Sequence, residues 1–390
     1  MIMATISAIF KEHLNKYLKA TKSEKGGILN HVCFITKLHR KAATRKFGEI
    51  QKKSPNKKEL RGRGEYYGPD VTVALKEIWE IGDEVCAELL HPMINEYVVI
   101  LRRDGMWKYG NIVTEKLKQM SESTLKRRIA NFRKARGKSR GISTTKPSHL
   151  KKLVPIFTGP WEDKPPGNGQ IDTVLHNNTM EGNAVYTVNY TDAATLVTIM
   201  RAQWNKGQKV TLESIQAMKL IIEDFLEHWL GAHPDSGSEF LNYLAVPWFK
   251  ENSIDFSRSR PGHKNDNMYI EERNGHVIRK HIGYKPLTCP EVVPVLNAYY
   301  DVLIIYLMYF VATRRLLKKE KQGSKYIKTY EKKAKTPYQR IIEHPAVSTE
   351  QKEKLKQLHD KLNPLILKKE MDKRLDIVYD TQTNFGNPER

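Results

Sequence analysis

The sequence predicts a multidomain chain: an α-helical N-terminal region of helix-turn-helix character, a central α/β domain, and a basic C-terminal domain. Three observations carry this. Apolar residues recur at helical spacing up to about residue 136, change to short strand-like runs separated by turn residues between residues 171 and 200, and then return to helical spacing. Charge is partitioned along the chain: residues 1–150 hold 31 Lys/Arg against 15 Asp/Glu, residues 151–284 hold 14 against 16, and residues 285–390 hold 21 against 13. The 390 residues are enough for two or three cores. Basic segments therefore flank a nearly neutral middle, within a formal charge of +22. Polyanion binding explains that asymmetry, but charge alone does not choose between DNA, RNA and a membrane surface.

No run of ~18 apolar residues stands out, so no spanning helix is expected. The apolar stretch Asp301–Val311 is shorter and reads as a buried helix. The N-terminus shows no signal-peptide pattern. Cys33, Cys86 and Cys289 are too few and too scattered for a disulfide or zinc framework, and they suit a reducing cytoplasm.

Taken in order, helices are expected over Ile6–Ala20, Gly27–Phe34 and Lys37–Phe47, the last carrying Arg40, Lys41, Arg45 and Lys46. This region, 1–50, reads as a possible first helix-turn-helix. Residues 51–64 form a basic linker, either simply solvated or tracking a phosphate backbone. Pro69 opens a helix that the stripe Val71, Leu75, Ile78, Trp79, Val85, Leu89 extends to Leu90. Two more helices, Val113–Met120 and Leu125–Arg136, make a second helix-turn-helix, with Ser121 or Ser123 as cap. Leu125, Ile129 and Phe132 supply an inward stripe, leaving Lys126, Arg127, Arg128, Arg133 and Lys134 for a DNA groove. The unit 65–150 thus reads as helical and DNA-binding, ending in a basic linker.

Strands follow at Ile171–Leu175, Val185–Tyr190 and Leu196–Met200, then a helix over Thr211–Trp229, a strand ending near His233-Pro234, another through Ile254 and Phe256, and a helix over Asn267–Lys280 capped by Asn265 or Asp266. The last segment, 285–390, opens with an apolar helix, Val292–Val311. Residues 314–340 then hold eleven Lys/Arg and two acids, with Tyr326, Tyr330 and Tyr338 interleaved, a composition suited to phosphates and exposed bases. Thr349–Leu362 reads as a polar helix for structural or subunit contact.

Three acidic residues in the middle segment stand out. Asp172 lies in the strand-like Gly169–Leu175, Asp235 in His233-Pro234-Asp235-Ser236-Gly237-Ser238-Glu239-Phe240, and Glu271 in Asn265-Asp266-Asn267-Met268-Tyr269-Ile270-Glu271-Glu272-Arg273-Asn274, with 35 residues between the second and third. Mg²⁺ takes carboxylate oxygens while keeping sites for water and substrate phosphates, and two such ions can activate the attacking oxygen and stabilise the leaving one.

These strings, with Ser257-Arg258-Ser259-Arg260-Pro261, resemble the core of retroviral-integrase-type transposases, the DDE enzymes of bacterial insertion sequences. The resemblance covers most of the chain, including Arg279–Tyr284 and Lys335–Arg340. It implies a ribonuclease-H-like fold over 160–284, with Asp172 on the first strand, Asp235 ending the fourth and Glu271 on the later helix. It implies two Mg²⁺ ions, with Mn²⁺ as a possible substitute, held by those three residues. It further implies 3′-end cleavage and strand transfer on double-stranded DNA (terminal inverted repeats and target), by a homo-oligomer in the cytoplasm and nucleoid. A basic C-terminal DNA-binding domain, often a small barrel, is expected in such enzymes. Glu272 neighbours Glu271, but a helix points the two about 100° apart and the motif favours Glu271. Arg258, Arg260, Lys264, Arg273 and Asn274 are expected to hold strand ends through phosphates. Asp192 reads as a turn group, Glu239 as an assisting carboxylate or a solvated one, and His176 and His233 as structural or substrate-side groups. Two rivals stand beside this reading: a metal-dependent nuclease of the same fold, and a domesticated DNA-binding protein without catalysis. Basic helical segments on both sides argue against the first, and retention of all three acids against the second.

Overall fold

In the computed structural model, the residues described are 3–52, 66–133, 154–157, 161, 164–177, 183–235, 237–259, 268–322 and 325–386. The chain forms two compact units, Met1–Tyr66 and Tyr67–Arg390.

The first unit is three helices: α1 (Met3–Lys19), α2 (Lys22–Thr36) and α3 (Arg40–Lys52). Phe10 and Phe47 meet edge to face at 4.8 Å, Tyr17 stacks on Phe47, and Ile6, Leu29, Val32 and Ala43 close the core around them. Thr21 and Glu24 form a capping box at the start of α2, and Lys37, in the left-handed region (φ 58°), ends that helix.

The second unit begins with α4 (Pro69–Ile81), α5 (Ala87–Leu90), α6 (Ile94–Arg103), α7 (Asn111–Lys118) and α8 (Glu122–Arg133). The single helix expected from Pro69 to Leu90 is broken. Gly82 lies so close to Leu90 and Tyr97 that a Cβ would fall 2.6 Å from Leu90 Cδ1, and Asp83 and Glu84 are left-handed, so the apolar period continues through a turn. Helix α6 was not expected from the sequence.

The sheet contains β1 (Asn168–Leu175), β2 (Val185–Asp192) and β3 (Thr198–Trp204), followed by helix α9 (Gln208–Leu226), β4 (Gly231–Pro234), α10 (Ala245–Glu251) and β5 (Asp255–Phe256). Its order is β3-β2-β1-β4-β5: β1, β2 and β3 are antiparallel neighbours, while β4 and β5 run parallel to β1 and β4 respectively. This is a mixed α/β architecture with the expected succession of three strands, a helix and a fourth strand. Helix α9 buries Ile215, Met218, Ile222 and Phe225.

Helix α11 (Met268–Arg273) runs through a π-helical stretch (Asn274–Arg279) into α12 (Lys280–Ile282). Helix α13 (Val292–Phe310) is long and apolar enough to cross a membrane by length and composition, yet most of it is buried inside the unit. Its Asn297 pairs with the outer backbone edge of strand β3, accepting from Ala202 N at 2.7 Å and donating to Ala202 O at 3.1 Å.

The C-terminal part departs from a barrel. It is a two-stranded hairpin, β6 (Leu316–Gln322) with β7 (Lys325–Tyr330), and three helices, α14 (Pro337–Glu343), α15 (Thr349–Lys361) and α16 (Pro364–Phe385). Tyr338 stacks on His359 at 4.7 Å and does not stand ready for a base, while Arg340 is buried against Glu331. Segments expected as separate domains at 65–150, 160–284 and 285–390 share one continuous hydrophobic core, from Val71 to Val378.

Candidate active site

The site begins with the register between two parallel strands. Ile171 on β1 faces Pro234 on β4, which brings Asp172, in the middle of β1, beside Asp235, just past the end of β4, on strands that lie ~4.8 Å apart. Asp235 Oδ1 accepts from Gly237 N at 2.8 Å. Asp172 Oδ1 accepts from its neighbour Thr173 N at 2.7 Å, and Oδ2 from Asn274 Nδ2 at 2.7 Å. Asn274 Oδ1 in turn accepts from Asn189 Nδ2 at 3.1 Å, which fixes the amide so that its NH₂ faces Asp172. Burial, and then the charge of Asp235, push the Asp172 carboxyl up to about 7, against the two donated hydrogen bonds.

Helix α11 is fastened to the same face of β1. Gln170, two residues before Asp172 and so on the same side of the strand, accepts through Oε1 from Tyr269 N (3.0 Å) and Ile270 N (3.1 Å). This side chain satisfies two amides near the start of the helix. Glu271 belongs to α11 by its backbone, three positions before Asn274, and its side chain lies outside the described residues. Glu272 is exposed.

Glu239, read from the sequence as either an assisting carboxylate or a solvated one, is not solvated. It is 3% exposed, paired with Lys206 Nζ at 2.6 Å and accepting from Thr173 Oγ1 at 3.2 Å.

The basic set is divided. Lys134, Arg260 and Lys264 lie outside the described residues. Lys126 is exposed and pairs with Glu88 at 2.7 Å; Arg127, also exposed, reaches Thr124 Oγ1 at 3.2 Å; Arg133 reaches Glu84 O at 3.3 Å. Arg128 turns inward to Tyr67 O and Thr72 Oγ1, anchoring α8 rather than facing a groove. Arg258 and Arg273 do not lie open to phosphates: each is 8% exposed. Arg258 donates to the carbonyls of Val154 (3.0 Å) and Ser259 (3.3 Å), and burial pushes the Arg273 guanidinium down to about 10. Asn274, expected at a phosphate, serves Asp172 instead. A count of charges along a sequence does not say which guanidinium the tertiary fold takes inside.

Asp192 is a buried turn group, accepting from Thr195 N (2.7 Å), Thr195 Oγ1 (2.6 Å) and Gly167 N (2.8 Å). His176 is structural: it is fully buried, meets Thr187 Oγ1 at 2.7 Å, and burial pushes its pKa down to about 3. His233 lies edge-on to Phe157 and Trp161 and meets Ser257 Oγ at 3.0 Å.

Among the described residues no three His, Cys, Asp or Glu side chains stand together as a metal site. Asp172 and Asp235 are nevertheless a suitable start for one. They are hard oxygen donors, and their mutual repulsion is relieved by a cation.

No family model matches the chain. It is 29% identical over 334 residues to the uncharacterized protein y4rM of Sinorhizobium fredii, covering 84% of this chain and 93% of that protein. Among solved structures it is similar to the catalytic core domain of BIV integrase (12% identity, 45% of this chain and 92% of that chain, TM-score 0.28). It is also similar to the HTLV-2 integrase catalytic core in complex with magnesium (14% identity, 39% and 92%, TM-score 0.26). A simian T-cell lymphotropic virus intasome in complex with PP2A regulatory subunit B56 gamma overlaps at 12% identity, 63% and 75%, with a TM-score of 0.30.

Proposed function

We propose that this chain is the transposase of a bacterial insertion sequence, a DDE enzyme that cleaves DNA at 3′ ends and joins them to a target. The observation that carries the reading is the register that sets Asp172, in the middle of β1, beside Asp235 at the end of β4, with the helix bearing Glu271 clamped to β1 through Gln170 and Asn274. Asp172, Asp235 and Glu271 would hold Mg²⁺, with Mn²⁺ as a substitute. Two such ions would activate the attacking oxygen and stabilise the leaving one.

The chain's own groups do the positioning. Thr173 N and Asn274 hold Asp172, and Gly237 N holds Asp235, so that both carboxylates keep their place in spite of their repulsion. In the proposed reaction, water attacks the phosphodiester at an element end, and the freed 3′-hydroxyl then attacks a target phosphodiester in line. Each joining step exchanges one phosphodiester for another, so no covalent enzyme intermediate is needed. The basic helical segments 1–50 and 65–150 and the basic residues of 285–390 are proposed to bind terminal inverted repeats and target DNA, as a homo-oligomer in the cytoplasm and nucleoid. Lys126, Arg127 and Arg133 are the exposed described members of the α8 set and are proposed to meet phosphates.

A strand-transfer assay with the element's own ends in Mg²⁺, comparing the wild type with Asp235→Asn, tests this. Joined products that vanish in the variant support it. Cleavage without joining favours a nuclease, and bound ends that are neither cut nor joined in Mg²⁺ or Mn²⁺ favour a DNA-binding protein without catalysis.

A further inference from the structure

Glu239 holds a carboxylate whose arrangement an ordinary ion pair does not explain. One oxygen, Oε1, is well supplied by Lys206 and Thr173. The other, Oε2, is buried and has no hydrogen-bond partner. Removing a charged oxygen from water without a donor is costly, and buried polar atoms in folded proteins are nearly always paired. If the group served only to pair with Lys206, there would be no reason to enclose the second oxygen.

The surroundings connect Glu239 to both acids of the site. Thr173, which donates its hydroxyl to Glu239, donates its backbone N–H to Asp172. Gly237, whose N–H holds Asp235, is the residue that leaves room for the carboxylate: a Cβ there would fall 2.5 Å from Oε2 and 2.7 Å from Oε1. The Glu239 carbonyl is tied down by Asn242 Nδ2 at 2.7 Å, so the residue is not free to swing away. Glu239 is also within electrostatic reach of Asp172. Three carboxylates within electrostatic reach, with Lys206 compensating one, leave a site short of positive charge. Since no three of the described carboxylates and imidazoles stand together as a metal site, Glu239 stands off the pair rather than joining it.

We propose that Glu239 is a positioning residue of the cation site, its Oε2 accepting a hydrogen bond from a water of the cation's hydration shell. Mg²⁺ gives up its waters reluctantly, so a carboxylate just beyond its direct ligands has something to bind. This inference rests on the reading of Asp172 and Asp235 as cation ligands.

The test uses full-length protein without DNA, titrated with Mn²⁺ and followed by electron paramagnetic resonance of the free ion. Strand transfer as a function of Mg²⁺ is measured alongside. Glu239→Gln keeps the shape of the side chain and should weaken Mn²⁺ binding about 10–100-fold, the range for outer partners of metal ligands. The half-saturating Mg²⁺ should rise in parallel, with the rate at saturating Mg²⁺ nearly retained. Lys206→Met, which leaves the carboxylate but removes its competing ammonium, should tighten Mn²⁺ binding. It carries the test should Glu239→Gln not fold. Equal Mn²⁺ binding by the wild type and Glu239→Gln, or weaker binding by Lys206→Met, overturns the inference while leaving the cation site standing. A wild type that binds no Mn²⁺ overturns the site itself, and this inference with it.

Discussion

Replacing Asp172 by Asn should make the metal-free protein more stable above neutral pH while removing its response to Mg²⁺. The carboxyl is held at about 7, against an ordinary 3.8, by burial first and by Asp235 second. Each tenfold in proton affinity is worth about 1.4 kcal/mol, so the ionised group destabilises the fold by up to ~4 kcal/mol. The sign follows from linkage: with the folded value raised, stability is fully present below pH ~4 and is lost as pH rises through about 7. Asn cannot ionise; its carbonyl keeps one of the two donors, Thr173 N or Asn274 Nδ2, while its amide faces the other, which offsets part of the gain. A gain of roughly 2–4 kcal/mol corresponds to ~3–6 °C in Tm for a unit of this size. Scanning calorimetry in EDTA at pH 4 and pH 8 measures it: the variant should melt above the wild type at pH 8 and close to it at pH 4. Adding Mg²⁺ at pH 8 should then raise the wild type alone. A variant less stable than the wild type at pH 8, or a gap that is the same at both pH values, would refute the reasoning.

Two further perturbations follow from the hydrogen bonds. Asp83 is 4% exposed and bonded to Lys280 Nζ (2.7 Å) and His281 Nε2 (3.1 Å); burial opposes its charge, but His281 and Lys280 outweigh it and hold the carboxyl well below the usual range. Asp83→Asn should therefore cost ~3–5 kcal/mol in urea denaturation at pH 7. The difference should persist above pH ~4 and be lost only as pH falls towards the depressed value. Asn274→Ala removes a bond to Asp172 without touching a charge, so strand transfer should fall about 10–100-fold with Tm little changed, and a rate within twofold of wild type would count against its positioning role.

Much of this was legible because the sheet shows openly in the sequence. The short runs Ile171–Leu175 and Val185–Tyr190, set apart by turn residues, located β1 and β2, and the buried side chains Ile215, Met218, Ile222 and Phe225 located α9. Helix α6 went unread although Ile94, Tyr97, Val98 and Leu101 have helical spacing, because its surroundings are charged. Helix α16 buries Pro364, Met371 and Val378, one residue per two turns, a stripe too narrow to stand out from a solvated tail. Its start was nonetheless marked, by Asn363 as cap and Pro364 in the first turn. At the site, the motif singled out the acids, but the roles of Asn274, Glu239 and Arg258 depend on partners 102, 66 and 104 residues away. Local pattern carries no information about such pairings.

Helix α13 has a consequence for how such a chain can evolve. Tyr306 on α13 donates to Ile81 O at the end of α4 at 2.6 Å, and Tyr97 on α6 donates to Phe310 O. The helices before the sheet and those after it thus use one another's carbonyls as acceptors. A gene fusion that exchanged residues 67–133 for another helical module would strand the buried Tyr306 hydroxyl and the Phe310 carbonyl and expose one of the most apolar helices in the chain. Residues 67–386 are therefore inherited as a block. Exchange of parts between related genes is expected to respect the boundary near residue 66, where the two compact units meet in sequence.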